Sequence, residues 1–371
     1  MPSLRRALLA WYRRAARDLP WRRDGDPYRV WLSEIMLQQT RVETVIPYYD
    51  RFLQSCPTVV ALAAADEQHV LRLWAGLGYY SRARNLHAAA KCVVNEHAST
   101  FPKTAAALQS LPGIGRYTAA AIASICHGEP VAVLDGNVKR VIARLLTITQ
   151  PINNRDTTQQ LWTHATALLD PRRAGDFNQA MMELGATICV PRQPRCADCP
   201  VRTHCGAHAR GISAELPILK RKADSPTIRR VAVAIRNARG ELLLIRRSER
   251  GLLHGMWTLP GGEATSPAAL IESIERQTGL RVEIGEEFGS VRHVFTHRIW
   301  IVTVHAACVA SGRVSGRPDA CRWITDADDA ALPLATIDRK LLAIATAARA
   351  EAPIKKVTPR RKRAKPNTLR R

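Results

Sequence analysis

The sequence predicts two domains of different class, an all-α domain over residues 1–210 and an α+β domain over residues 228–350. Three observations carry this. The chain has 371 residues, more than one hydrophobic core usually serves. Up to residue 210, apolar residues recur at three- and four-residue intervals, as in Val70, Leu73, Trp74 and Leu77, and no strand alternation interrupts them. From Ile228 onward, short apolar and β-branched runs separated by turn residues take over. Residues 211–227 hold two prolines and mixed charge and read as a linker, and residues 351–371 read as a disordered basic tail.

Composition narrows the function classes. Hydrophobic residues make up 46% of the chain, as in a globular protein. The net charge is +23; residues 355–371 supply nine Lys or Arg and no acid, which leaves +14 on residues 1–354. A body this basic points to a polyanionic partner, nucleic acid ahead of an anionic membrane. No apolar run approaches the roughly 18–20 residues of a membrane span, so no membrane association is expected. The Arg-rich first seventeen residues could suggest a transit peptide, but Leu4, Leu8, Trp11 and Ala15 follow a helical spacing and read as an ordinary first helix.

The next segment, Pro27 to Thr40, holds one acid in an apolar frame. On a helix Glu34 shares a face with Trp31 and Gln38, with Ile35 beside it. Desolvation raises the pKa of a carboxyl, so Glu34 is a candidate general acid. A solvated glutamate is the commoner fate, and the apolar flanks weigh against it.

Residues 111–137 read LPGIGRYTAAAIASICHGEPVAVLDGN. Leu111 to Gly115 is a tight turn with two glycines, Gly113 and Gly115, ahead of small residues that favour a helix. Such a turn brings backbone close to a ligand and aims N–H groups at an anion such as a phosphate. Asp135 follows an apolar run and reads as the N-cap of a helix from Val138 to Leu146.

Nine cysteines are present, and four of them, Cys189, Cys196, Cys199 and Cys205, fall within seventeen residues. Their C-x6-C-x2-C-x5-C spacing lacks the long loop of a zinc finger and suits a cubane iron–sulfur cluster, with zinc as the alternative. A metal or cluster site in a reducing cytoplasm fits better than a secreted disulfide framework. Pro191, Pro194 and Pro200 hold the turns, and Arg192, Arg195 and Arg202 lie on the same loop.

In the second domain, Val231 to Ile235, Leu242 to Ile245, Arg281 to Ile284 and Ile299 to His305 read as strands, and Ser266 to Gln277 as a helix.

LPWR (19–22), VWLSEIMLQQTRVETVIPYY (30–49), WAGLGYYSRARNLH (74–87), LPGIGRYTAAAI (111–122), VLDGNVKRV (133–141) and the cysteine quartet resemble, in order and spacing, the adenine DNA glycosylases. These belong to the helix-hairpin-helix glycosylase superfamily, in which two helical lobes flank a cleft. The resemblance implies a helix-hairpin-helix glycosylase domain with an iron-sulfur cluster loop, then a Nudix-like domain. It implies base excision repair, with hydrolysis of the N-glycosidic bond of adenine mispaired with 8-oxoguanine or guanine in double-stranded DNA, by a monomer near the bacterial nucleoid.

Residue by residue, the resemblance makes Glu34 the proton donor and later base, and Asp135 the carboxylate that stabilises the oxocarbenium-like sugar, with Asn137 beside it. Tyr117 stands where the endonuclease III type carries a Schiff-base lysine, which implies a monofunctional hydrolase. Gln39 and Tyr79 match wedge residues, Gly113, Gly115 and Arg116 the DNA-gripping hairpin, and Arg17, Leu19, Trp21 and Gln179 the adenine pocket. The four cysteines would hold a 4Fe–4S cluster. Phe295, Thr296 and His297 match an 8-oxoguanine-reading loop usually written Phe-Ser-His. The Nudix box departs from its pattern: Glu272-Ser273 and Arg276-Gln277 stand where Arg-Glu and Glu-Glu are expected, and only Glu275 remains nearby, so nucleotide hydrolysis by this domain is not expected.

Overall fold

The computed structural model describes residues 2–220, 224–248, 251–263, 266–314, 320–325 and 331–351, the last three as backbone only. Part of the expected linker, and all but the first residue of the expected tail, lie outside the described residues. The chain divides into two compact units. The first comprises residues 1–225, 246–257 and 328–336, and the second residues 226–245, 258–327 and 337–371.

The first unit is helical. Its elements are α1 (Pro2–Ala15), a 3-10 turn at Pro20–Arg22, α2 (Pro27–Leu37), α3 (Val42–Ser55), α4 (Val59–Ala64), α5 (Glu67–Trp74) and α6 (Ser81–Glu96). There follow α7 (Ala105–Leu108), α8 (Arg116–His127), α9 (Gly136–Leu145), α10 (Arg155–Leu168), α11 (Ala174–Thr187) and α12 (Gly206–Ala209). Local chemistry sets the ends. Asp26 accepts from the N–H groups of Tyr28 and Arg29, and Pro27 occupies the first helical position, so α2 starts there. Thr58, Asp66 and Thr104 cap α4, α5 and α7 in the same way. Gly128, at φ +69°, takes the left-handed conformation that ends α8.

Leu4, Leu8, Leu9 and Tyr12 of α1 join residues of α8, α9, α10 and α11 in one apolar core. Helix α2 is unusual in being buried almost all round: Tyr28 and every residue from Val30 to Met36 are buried. A helix of that kind belongs inside a protein, and it carries Glu34 inward.

The elements that follow in the chain are β1 (Thr227–Ile235), β2 (Leu242–Arg246), β3 (Trp257–Thr258), β4 (Gly261–Glu263), α13 (Pro267–Thr278), β5 (Leu280–Val294), β6 (Ile299–Gly312), β7 (Cys321–Ile324) and α14 (Thr336–Glu351). One sheet runs β4-β1-β6-β5 and a smaller one β3-β2-β7. Strands β5 and β6 pair antiparallel from Val294↔Ile299 outward, and β1 lies parallel to β6 from Thr227↔Ile299. The four expected strands and the expected helix are all present, with Ser266 as the helix N-cap. Strands β5 and β6 run much further than their apolar runs suggest, to 15 and 14 residues. Beyond those runs, long-range pairing rather than local apolar pattern holds them.

The broken Nudix box has a structural use. Gln277 accepts from the Gly261 N–H (3.0 Å) and donates to the Gly261 carbonyl (2.7 Å) and to Ser273 Oγ (3.2 Å). An amide can both donate and accept, so it ties α13 to β4, where a carboxylate could only accept.

Candidate active site

A cavity of about 670 Å³ opens in the first unit, within the roughly 300–1,000 Å³ range of small-molecule sites. Helix α2 supplies Val30, Glu34 and Leu37, the following loop residues 38–41, and the start of α3 Val42 and Glu43. The segment around the 3-10 turn supplies Arg17, Leu19, Trp21 and Arg22. Helix α8 supplies Tyr117 and Ile125, the start of α9 supplies Asp135 to Asn137, and α11 supplies Gln179, Met182, Glu183 and Ala186. Eight sequence-predicted residues of the active site and adenine pocket, Arg17, Leu19, Trp21, Glu34, Tyr117, Asp135, Asn137 and Gln179, therefore line one space, and Gln39 lines it too.

Glu34 is 6% exposed. Burial pushes its carboxyl up to about 7, against the Tyr117 hydrogen bond, which lowers it, and the Asp135 charge, which raises it further. Tyr117 Oη donates to Glu34 Oε2 at 2.6 Å. The same oxygen lies 3.2 Å from Met182 Sδ.

Asp135 is the N-cap of α9. It accepts from the Val138 N–H (2.7 Å) and from Asn137 Nδ2 (3.0 Å). A helix N-terminus by itself favours the ionised carboxylate. The net direction is upward, because burial outweighs the Val138 and Asn137 hydrogen bonds. Asn137 Oδ1 in turn accepts from Arg140 Nη2 (2.7 Å), and Arg140 Nε donates to the Cys189 carbonyl (2.7 Å). A run of hydrogen bonds thus joins Asp135 to the cysteine loop. Helix α11 passes close here: a Cβ on Gly185 would lie 2.6 Å from Asn137 Cβ.

Glu183 is missing from the sequence reading. It is fully buried. Arg17 grips it with both nitrogens, Nε to Oε1 at 2.6 Å and Nη2 to Oε2 at 3.0 Å, and Arg22 Nη2 donates to Oε2 at 2.9 Å. Burial pushes this carboxyl up, but the two guanidiniums win and its net direction is down. The available signal was spacing: Glu183 stands four residues after Gln179, so the two share a helix face.

Arg82 was also missed. It is 8% exposed, and burial lowers its pKa to about 10. Its Nη1 donates to the carbonyls of Ile35 (2.7 Å), Met36 (2.9 Å) and Gln38 (2.7 Å), and its Nη2 to that of Gly78 (3.1 Å). It thereby binds the end of α2 to the loop before α6. Each of those two segments carries a non-glycine residue with left-handed backbone, Gln39 at φ 58° and Tyr79 at φ 50°.

Other expected residues stand outside the cavity lining. Tyr79 is 44% exposed. Gly113, Gly115 and Arg116 form the turn between α7 and α8, the helix-hairpin-helix. Gly113, at φ +74°, has Asn85 Cβ where its own Cβ would be, at 2.6 Å, so no other residue fits there. Gly115 caps α8 without a side chain, and the Arg116 guanidinium lies over the Trp162 ring at 3.9 Å. In the second unit, Phe295, Thr296 and His297 form the turn between β5 and β6. Phe295 packs edge-on against His293 and Trp300, and His297 is exposed.

Cys189, Cys196, Cys199 and Cys205 are free thiols lining a small cavity with Arg144, Arg195, Arg202 and His208. Arg144 Nη1 donates to Cys189 Sγ at 3.2 Å. A single tetrahedral zinc with Zn–S of about 2.3 Å would need sulfurs about 3.8 Å apart. Among the described residues, the quartet does not form a group with ligand atoms within 4.8 Å of one another. Four thiols around one cavity offer one cysteine for each iron of a cubane cluster.

Comparison with known proteins sets this geometry in a class. Residues 32–166 match the HhH-GPD superfamily base excision DNA repair protein family, and residues 231–343 match the NUDIX domain. A solved thermostable thymine-DNA glycosylase aligns with a TM-score of 0.50 and 28% identity, over 56% of this chain and 98% of its own. The class is therefore a helix-hairpin-helix DNA glycosylase of base excision repair. The human (Homo sapiens) adenine DNA glycosylase is 37% identical, over 92% of this chain and 74% of its own length. That of Arabidopsis thaliana is 39% identical, over 80% of this chain and 55% of its own length. The chain belongs to the adenine DNA glycosylase family.

Proposed function

We propose that this enzyme excises adenine mispaired with 8-oxoguanine or guanine in double-stranded DNA, as a monofunctional hydrolase. The observation that carries the reading is the buried Glu34 carboxyl, pushed up to about 7 and held by Tyr117. Adenine is a poor leaving group as an anion, and must leave the base stack to reach a pocket. A protonated Glu34 donates to a ring nitrogen of the extruded base, and the N-glycosidic electron pair departs with the neutralised adenine. Asp135, oriented by Asn137, faces the positive sugar that remains. Glu34, now ionised, takes a proton from the attacking water. Tyr117 brings a phenol where a lyase would need an amine.

Arg17, Leu19, Trp21 and Gln179 form the walls around adenine, and Gln39 and Tyr79 enter the duplex beside the mispair. Gly113, Gly115 and Arg116 hold a phosphate at the N-terminus of α8. Phe295, Thr296 and His297 read 8-oxoguanine. Cys189, Cys196, Cys199 and Cys205 hold a 4Fe–4S cluster, whose thiolate-bound irons fix the loop that carries Arg192, Arg195 and Arg202.

The test is strand scission on duplexes carrying A opposite 8-oxoguanine, G or T, with and without alkali, beside borohydride trapping on an abasic duplex. We expect scission only after alkali, strongest opposite 8-oxoguanine, and no efficient covalent adduct. Efficient trapping would overturn the monofunctional reading.

A further inference from the structure

We propose that Cys92, Glu96 and His97, at the C-terminal end of α6, form a binding site for a zinc-type divalent cation. One ligand atom from each of the three residues lies within 4.8 Å of the other two. Cys92 and Glu96 are four residues apart and share one helix face. His97 follows at the cap, where the backbone has left helical geometry (φ −126°, ψ 24°), and its ring completes the group. Ala98 and Ser99 then turn the chain through two left-handed residues, at φ 48° and 62°. The N–H groups of His97 and Ser99 both bond the Val93 carbonyl, at 3.2 and 3.0 Å. The ligand-bearing turn is thus fixed by its own backbone.

The donor set selects the ion. A thiolate, an imidazole and one carboxylate suit Zn²⁺, Co²⁺ or Cd²⁺, whereas Mg²⁺ and Ca²⁺ take oxygen ligands. The place favours a cation as well, because the C-terminus of a helix carries partial negative charge. Binding breaks the Cys92 S–H bond, forms a metal–sulfur bond and releases one proton to solvent. The His97 nitrogen and a Glu96 oxygen donate lone pairs, and water fills the fourth position. Cys92 and His97 are half-buried and Glu96 is exposed, so the ion reaches the site from solvent. None of the three lines the Glu34 cavity, so the ion would brace the end of α6 rather than take part in base excision. An ion bound only by the folded state raises its stability by mass action.

Titration of the full-length protein, as purified, with Cd²⁺ alone tests this, read by ultraviolet thiolate-to-metal absorption. One saturable equivalent is expected in the parent and is lost in Cys92→Ser. Loss of an outer hydrogen-bond partner costs a metal site about tenfold or more, so His97→Ala and Glu96→Gln should each weaken binding at least about tenfold. Mg²⁺ should give no signal, and the visible absorption of iron at the cysteine quartet should not change in any variant. Zn²⁺ should raise the melting midpoint of the parent and not that of Cys92→Ser. Equal Cd²⁺ stoichiometry and affinity in parent and Cys92→Ser would overturn the site, as would no saturable binding in the parent up to about 1 mM.

Discussion

Two carboxyls in the cavity are pushed in opposite directions by their surroundings. Glu34 sits among apolar side chains with one phenol and rises to about 7, while Glu183 holds two guanidiniums and falls. A raised carboxyl favours the fold while it is neutral. The Glu34 contribution is therefore full below its unfolded value of 4.5 and is lost as pH climbs through about 7. Glu34→Gln should abolish adenine release, keep mispair binding, and gain stability over the parent between pH 5 and pH 8 by up to about 3 kcal/mol. Urea unfolding at both pH values, beside single-turnover excision, measures this; normal excision would remove Glu34 from the chemistry. Glu183→Gln should cost about 2–3 kcal/mol, less than the about 3–5 kcal/mol of a fully buried pair, because Arg17 keeps 34% of its side chain in solvent. It should also slow excision, since Arg17 and Arg22 would lose their anchor; an unchanged rate would make Glu183 a purely structural ion. Glu34 was legible in the sequence because its neighbours along one helix are apolar. Glu183 was marked only by its spacing from Gln179, because its ion-pair partners lie more than 160 residues away in the chain.

At the scale of elements, the helix starts at Asp135 and Ser266 were legible, since a capping side chain acts within a few residues of itself. Strands β3, β4 and β7, of two to four residues, were not legible, since pairing with distant partners defines them. The crossing of α9 and α11 at Gly185 was equally silent: a glycine within a helix reads as a weak point, yet here it admits Asn137. Gly185→Ala should destabilise by about 1–3 kcal/mol, as overpacking does. It should also slow excision more than it weakens DNA binding, because the displaced Asn137 holds Asp135. Equal loss of both would show that the helix crossing matters only for folding.

For the whole molecule, charge was legible from composition, and the order of a helical unit before a sheet-containing one from periodicity. No helix among the described residues is long and apolar enough to cross a membrane. Residues 355–371 carry nine of the positive charges, and their deletion should weaken DNA binding evenly across sequences. The slope of log affinity against log salt should flatten by about 0.9 for each tail cation that meets a phosphate. An unchanged slope would mean that the tail does not touch DNA. Among the described residues, no carboxylate pairs with the buried Arg82, whose charge is shared between the segments that carry Gln39 and Tyr79. Loosening either segment would strip carbonyls from a buried cation that the other still needs. The two segments therefore open or stay closed together, as one cooperative unit under local unfolding, although forty residues of chain separate them.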